Sequence, residues 1–177
     1  IKIIIMKYDL AILVVLYNLE LEESETVNSL NELTDIDNIK IIIWNNGPNS
    51  IKDNKNFFVI NTLKNLSLAK IYNSFLNFYD AENYLFLDHH TKITHEYIMN
   101  LVECNFEGIT LPKVYSNNTI IYPFYEQGIY PFSKKIIPTS DQNIDDGRLV
   151  LSITSGLNIH SSTINKIKIN FGDLFDE

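Results

Sequence analysis

This sequence is short of the residues that mark several protein classes. It has one cysteine, Cys104, in 177 residues, so no disulfide can form within the chain. A lone thiol fits a reducing cytoplasm, and Cys104 itself reads as a half-buried core residue. Cations are scarce. The chain has 14 Lys and Arg against 22 Asp and Glu, a net charge of −8 and a pI of about 4.9. The lack of a basic stripe argues against non-specific nucleic-acid binding, and no Lys/Arg cluster marks a patch for anionic lipid. Long apolar runs are missing too. Ile1 to Ile5 is broken by Lys2 and followed by Lys7 and Asp9. That stretch is too short for a membrane helix and lacks a small-residue cleavage site, so Met6 reads as the natural start. Glycine is sparse, and none lies between Leu16 and Leu21. A Gly-rich phosphate loop after the first strand is therefore absent, which argues against a dinucleotide-binding domain. No internal repeat or linker interrupts the chain, so a single domain over residues 1–177 is expected.

What is present is an alternation of buried strands and amphipathic helices. Leu10 to Leu16 is a continuous apolar run rich in Ile and Val, the mark of a strand buried on both faces. Glu22 to Leu33 predicts a helix with an acidic first turn and Val27, Leu30 and Leu33 on one face. Ile39 to Trp44 reads as a second strand and Asn45-Asn46-Gly47-Pro48 as a turn. Phe57 to Ile60 reads as a third strand. Leu66 to Tyr79 predicts a helix capped by Ser67, with Leu68, Ile71, Tyr72, Phe75 and Leu76 on one stripe. Tyr84 to Leu87 is a fourth strand. Thr94 to Cys104 predicts a helix capped by Thr94, its apolar face Ile98, Leu101 and Val102. Beyond it, Gly108–Val114, Thr119–Tyr122 and Leu149–Ile153 are strand candidates. Ser133–Arg148 reads as a loop, Ser161–Ile169 as a helix and Phe171–Glu177 as a loop. Strands alternating with helices imply right-handed crossovers and a three-layer α/β/α sandwich with a mostly parallel central sheet.

The chemistry concentrates where the fourth strand stops. Leu85-Phe86-Leu87-Asp88-His89-His90-Thr91 runs from apolar residues straight into a carboxylate and two imidazoles. A strand that ends this way delivers those groups to the carboxyl rim of the sheet, where open α/β sheets bind ligands. Asp88 and His90 alternate along an extended backbone, so they would point to the same side. Oxygen plus nitrogen ligands suit Mn²⁺ better than Mg²⁺ or Ca²⁺. The alternative is a polar turn with surface histidines. Asp141, Asp145 and Asp146 read as a solvated acidic run or a lid, and His95 and His160 as ordinary helix or surface histidines.

The order of these signals resembles a family-2 glycosyltransferase of the GT-A fold, from Leu10 to Glu177. Val14-Val15-Leu16-Tyr17-Asn18 is similar to the first strand and its end. Ile42-Ile43-Trp44-Asn45-Asn46-Gly47 is similar to the second strand and its Asp-Asn-Gly turn, with Asn45 in place of Asp. Asn65-Leu66-Ser67 and Asn73 resemble a helix start that usually carries Gly where Ser67 stands. Asp88-His89-His90 occupies the place of the DxD metal motif and reads DxH. Thr154-Ser155-Gly156-Leu157 and Phe171-Gly172-Asp173-Leu174-Phe175-Asp176-Glu177 resemble the acceptor half. Within the family the pattern is nearest the rhamnosyltransferase-like enzymes of bacterial surface-polysaccharide and O-antigen synthesis.

The resemblance implies a donor-binding half at about residues 8–104 and a partial acceptor half at about 105–177. It implies a hexosyltransferase using a UDP- or dTDP-linked sugar and a saccharide or lipid-linked saccharide acceptor. It places the enzyme in the cytoplasm, or at the inner membrane face through that acceptor. Tyr17, Asn18, Asn45, Asn65, Asn73, Asp88 and His89 would contact the donor, and Asp88 and His90 would hold Mn²⁺. The metal would neutralise the departing diphosphate. The general base of such enzymes usually lies after the Phe-Asp-Glu element, so the catalytic base is expected beyond Glu177. A donor-binding remnant without turnover and a different α/β nucleotide-binding domain are the alternatives.

Overall fold

A computed structural model of the chain describes residues 7–33, 37–52, 54–103, 106–127, 134–138 and 149–176. The expectations for Ile1–Ile5, Met6, Cys104, Asp141, Asp145, Asp146 and Glu177 lie outside the described residues. The first part of the chain forms β1 (Tyr8–Leu16), a 3₁₀ turn (Leu21–Glu23), α1 (Glu25–Asn31), β2 (Ile39–Asn45), β3 (Phe58–Asn61), α2 (Leu68–Phe78), β4 (Ala81–Asp88) and α3 (His95–Glu103). The rest forms β5 (Ile109–Thr110), β6 (Val114–Ser116), β7 (Thr119–Tyr122), β8 (Phe124–Gln127), β9 (Lys134–Ile136), β10 (Val150–Leu151), β11 (Leu157–His160) and α4 (Ser161–Phe171).

The central sheet has six strands in the order β3-β2-β1-β4-β11-β5. The first four are parallel, and β11 and β5 extend the sheet by antiparallel pairing. The molecule is thus a mixed α/β protein with a mostly parallel central sheet. The reason is visible in β1. Leu10, Ile12, Val14 and Leu16 face one core with Val27 and Leu30 of α1 and Ile98 and Leu101 of α3. Ala11 and Leu13 face a second core with Ile71, Tyr72, Phe75 and Leu76 of α2 and Ile164 of α4. A period-two strand buried on both faces needs apolar residues at every position, which is what the run supplies. Helices cover both faces, a layering compatible with the expected sandwich. Each large side chain buried there contributes roughly 1.5–3 kcal/mol.

Several elements differ from the sequence expectation. The helix predicted from Glu22 is a 3₁₀ turn followed by α1. Ser24 takes an extended conformation between them and its side chain accepts from the Val27 N–H at 3.2 Å, which restarts the helix at Glu25. Leu68 opens α2 but is half exposed, because the helix turns that position off the sheet. Leu111–Lys113 is not strand, and Pro112 in it has no N–H to pair. Lys134–Ile136, expected in a loop, pairs with β8 instead. Phe171 ends α4 rather than opening a loop, and Gly172 with φ +85° stops the helix. The strands β8 and β11 have no counterpart in the sequence reading. The predicted caps are present: Ser67 accepts from Lys70 N–H at 3.3 Å and Thr94 from Tyr97 N–H at 3.2 Å.

Candidate functional site

The strand order creates a switch point. From β1 the chain moves outward to β2 and β3, then returns to the other side of β1 to form β4. Because α1 and α2 lie on opposite faces, the crossovers part at the carboxyl ends of β1 and β4. This is where doubly wound sheets bind ligands. The register sets Asp88 opposite Val15 and Asn45 opposite Leu16, so both end their strands at the same rim. Tyr17 and Asn18 continue from β1 at that rim, exposed to solvent.

Asp88 closes β4, and residues His89 and His90 form a turn rather than extended chain. The alternation argument for Asp88 and His90 therefore does not apply. The two imidazoles meet edge to face, with ring centroids 4.9 Å apart. What holds this turn is a set of hydroxyls on its backbone. The Thr26 hydroxyl, fully buried at the start of α1, bonds the carbonyls of Asp88 and Thr91 and accepts the Thr91 N–H at 2.8 Å. The Ser155 hydroxyl accepts the Asp88 N–H at 3.0 Å and bonds the Thr91 hydroxyl. Ser24 donates to the His89 carbonyl at 2.7 Å, and Ser29 accepts the Ile93 N–H at 3.3 Å. The turn's backbone is thus satisfied by side chains from two remote segments. The side chains of Asp88, His89 and His90 are not. Among the described residues, the Asp88 carboxylate and the His89 and His90 nitrogens have no hydrogen-bond or ion-pair partner. Asp88 and His89 are half-buried and His90 is exposed. The charge of Asp88 reaches the core below: Tyr72 is pushed up to about 12, mainly by burial and secondly by Asp88.

Among the described residues no group of three or more His, Cys, Asp or Glu is arranged to hold a metal alone. A carboxylate and an imidazole free of other bonds suit a cation whose remaining positions are filled by phosphate oxygens.

Beside this turn, the end of β2 is a network of asparagines. Asn45, almost fully buried, donates to the Asn49 carbonyl at 2.6 Å and to the Asn61 side chain at 2.7 Å, and its oxygen accepts the Gly47 N–H at 3.1 Å. Asn46 donates to Asn65 and to the Leu66 carbonyl and accepts the Leu66 N–H at 2.8 Å. Gly47 packs against the β1 end so closely that a Cβ would stand 2.9 Å from the Asn18 backbone nitrogen. Asn18 itself has φ +53°. Between these turns lies a shallow cleft of about 100 Å³, lined by Asn18, Glu20, Glu23, Asn45, Gly47 and Asn49 among others. It brings Asn18 and Asn45 together; Tyr17, Asp88 and His90 do not line it. Asn73 is tied elsewhere: its amide donates to the Phe175 carbonyl at 2.8 Å and accepts the Phe175 N–H at 3.3 Å. In this arrangement the donor groups of Asn45, Asn65's partner Asn46, and Asn73 serve the fold.

His95 begins α3 at the surface, whereas His160 is buried and caps α4, its Nδ1 accepting the Ser162 N–H at 3.2 Å. Nothing in the sequence singles out the hydroxyls of Ser24 and Thr26, which read as the start of an acidic helix. Ser155 falls within the Ser-Gly match, but its bonds to residues 88 and 91 depend on a contact across 64 positions or more. No helix among the described residues is long and apolar enough to cross a membrane. No protein-family model matches this chain, and no curated protein matches it.

Proposed function

We propose that this chain binds a nucleotide-diphosphate sugar at the carboxyl rim of its parallel sheet, as a family-2 glycosyltransferase of the GT-A type. One observation carries the reading: Asp88, His89 and His90 stand at the β1–β4 switch point with a clamped backbone and unpartnered side chains. A rigid backbone bearing free ligands is the arrangement a cation site needs before its ligand arrives. The acidic cleft beside it, with Glu20 and Glu23, suits the hydroxyls and N–H groups of a ribose and base and repels phosphate. The diphosphate would then fall on the Asp88 side, where Asp88 and His90 would hold an Mn²⁺ ion for it.

A metal held there would supply Lewis-acid stabilisation to the leaving diphosphate. The acceptor hydroxyl oxygen forms a bond to the anomeric carbon as the carbon–oxygen bond to the diphosphate breaks, and a general base takes the hydroxyl proton. The acceptor proposed is a saccharide or lipid-linked saccharide of a surface polysaccharide, and the site of action the cytoplasmic side of the membrane. Calorimetric titration with UDP and dTDP, with and without Mn²⁺, tests the reading. Binding of one nucleotide only with Mn²⁺, weakened by about 1–3 kcal/mol in Asp88→Ala, is the expected result. Absence of nucleotide binding in the presence of metal sinks it.

A further inference from the structure

We infer that Thr26 and Ser155 are positioning residues for the Asp88–His90 turn, and that the metal and diphosphate bind only as tightly as these two hydroxyls hold it. The inference rests on the proposed donor site. Its geometry is independent of any ligand.

The Thr26 hydroxyl is fully buried, yet all its bonds go to one turn: the Asp88 carbonyl, the Thr91 carbonyl and the Thr91 N–H. A hydroxyl has one proton and two lone pairs, so the proton is shared between the two carbonyls while one lone pair accepts the Thr91 N–H. Its own helix does not need it, since Ser24 caps α1. Ser155 approaches from the other side and accepts the Asp88 N–H. It is held in turn by its neighbour: Gly156 donates to the Phe86 carbonyl at 2.7 Å, and its own carbonyl accepts the Tyr97 hydroxyl at 2.7 Å. The turn is therefore gripped at both ends by side chains from separate elements, while the side chains it carries are left free. Were the hydroxyls there only to satisfy buried backbone, the turn's own side chains would need no such freedom.

The test uses the full chain and four variants: Thr26→Val, which keeps shape and deletes the hydroxyl; Thr26→Ser, which keeps the hydroxyl; Ser155→Ala; and Asp88→Ala. Amide hydrogen exchange reads the grip without any ligand, and Mn²⁺-dependent titration with UDP and with dTDP reads the site. We expect Thr26→Val to speed exchange at the Thr91 amide at least tenfold, and Ser155→Ala to do the same at the Asp88 amide. The amides of Ile12 and Leu85 in the core strands stay protected. Both variants weaken about tenfold the Mn²⁺-dependent binding of whichever of UDP and dTDP the unaltered chain binds, and Thr26→Ser restores both readouts. Unchanged exchange in Thr26→Val and Ser155→Ala shows that the hydroxyls do not hold the turn and overturns the inference. Faster exchange with unchanged affinity overturns it as well, since the grip then serves only stability. If the unaltered chain and Asp88→Ala alike fail to bind both UDP and dTDP in the presence of Mn²⁺, the donor site itself is wrong, and the positioning role goes with it; the exchange result then still reports whether the turn is clamped.

Discussion

Residues 8–103 and residues 106–176 are built on different principles. In the first region β1 is nine residues long and four parallel strands lie side by side. In the second, β5 and β10 have two residues each and β6 and β9 three. Large apolar side chains there are left in solvent, Tyr115, Ile121 and Leu149 among them. The first region is stabilised by burial; the second hangs on it through β11, α4 and Phe175. Long parallel strands need two covered faces, whereas short antiparallel strands close by hairpins and tolerate one wet face. Stability is therefore expected to be concentrated on one side of the chain.

The largest test of that contrast is a pair of truncations. Phe86 is fully buried in β4 and its ring meets those of Tyr72, Phe75 and Phe175 at 5.0, 5.6 and 5.4 Å. Phe86→Ala is expected to cost about 3–5 kcal/mol in urea unfolding. Leu151→Ala, at a half-exposed position in β10, is expected to cost under about 1 kcal/mol. Equal losses would erase the contrast.

The seam between the regions gives the second comparison. Gly156 has φ +87°, and a Cβ there would stand 2.4 Å from the Pro112 side chain. Gly172 has φ +85° with nothing within 4 Å of the corresponding position. Both substitutions strain the backbone, at about 1–3 kcal/mol. Only Gly156→Ala adds a steric clash, so it is expected to cost about 2–4 kcal/mol, and more than Gly172→Ala. Thermal unfolding of the two variants side by side decides the point. If Gly172→Ala is the worse, Pro112 does not close on Gly156 as tightly as the 2.4 Å contact requires.

The same division governs what could be read beforehand. Residues Leu10 to Leu16, Ile39 to Trp44 and Tyr84 to Leu87 are apolar at nearly every position, and their burial on two faces left little choice of structure. The caps at Ser67 and Thr94 are local interactions, three residues long, and were equally legible. Leu157–His160 was not: half its residues are polar, and Asn158 is buried with its amide donating to Asn83, 75 positions away. At the candidate site the strand end at Asp88 was visible, since an apolar run stops there. The clamp was not, because hydroxyls carry no period and the partners of Thr26 lie 62 to 65 residues off. Asn45 shows the reverse difficulty. Its place at the rim could be read, but its bonds to Asn49 and Asn61 could not.

The smallest expected effect asks whether the second region truly closes over the first. Tyr72 is buried under Phe175, ring centroids 5.0 Å apart, and its hydroxyl is raised from 10 to about 12 by burial and then by the charge of Asp88. A tyrosine raised in the folded state holds its proton between pH 10 and 12 while the unfolded chain releases it. Its contribution is present in full below pH 10 and is lost as the pH climbs toward 12, by about 2 kcal/mol. Tyr79, Tyr84 and Tyr97 are also raised by burial, so the alkaline slope belongs to several groups. The share of Tyr72 is isolated by difference. Tyr72→Phe is expected to flatten the loss of stability between pH 10 and 12 by that amount. Phe175→Ala removes the ring that covers Tyr72 and is expected to move the Tyr72 titration toward 10, as read by phenolate absorbance against a Tyr72→Phe background. Asp88→Asn removes the secondary cause and is expected to move it in the same direction by less. A Tyr72 titration indifferent to Phe175→Ala means that the 172–176 segment does not cover this core in solution. The bond between Asn73 and Phe175 would then not hold that segment against α2.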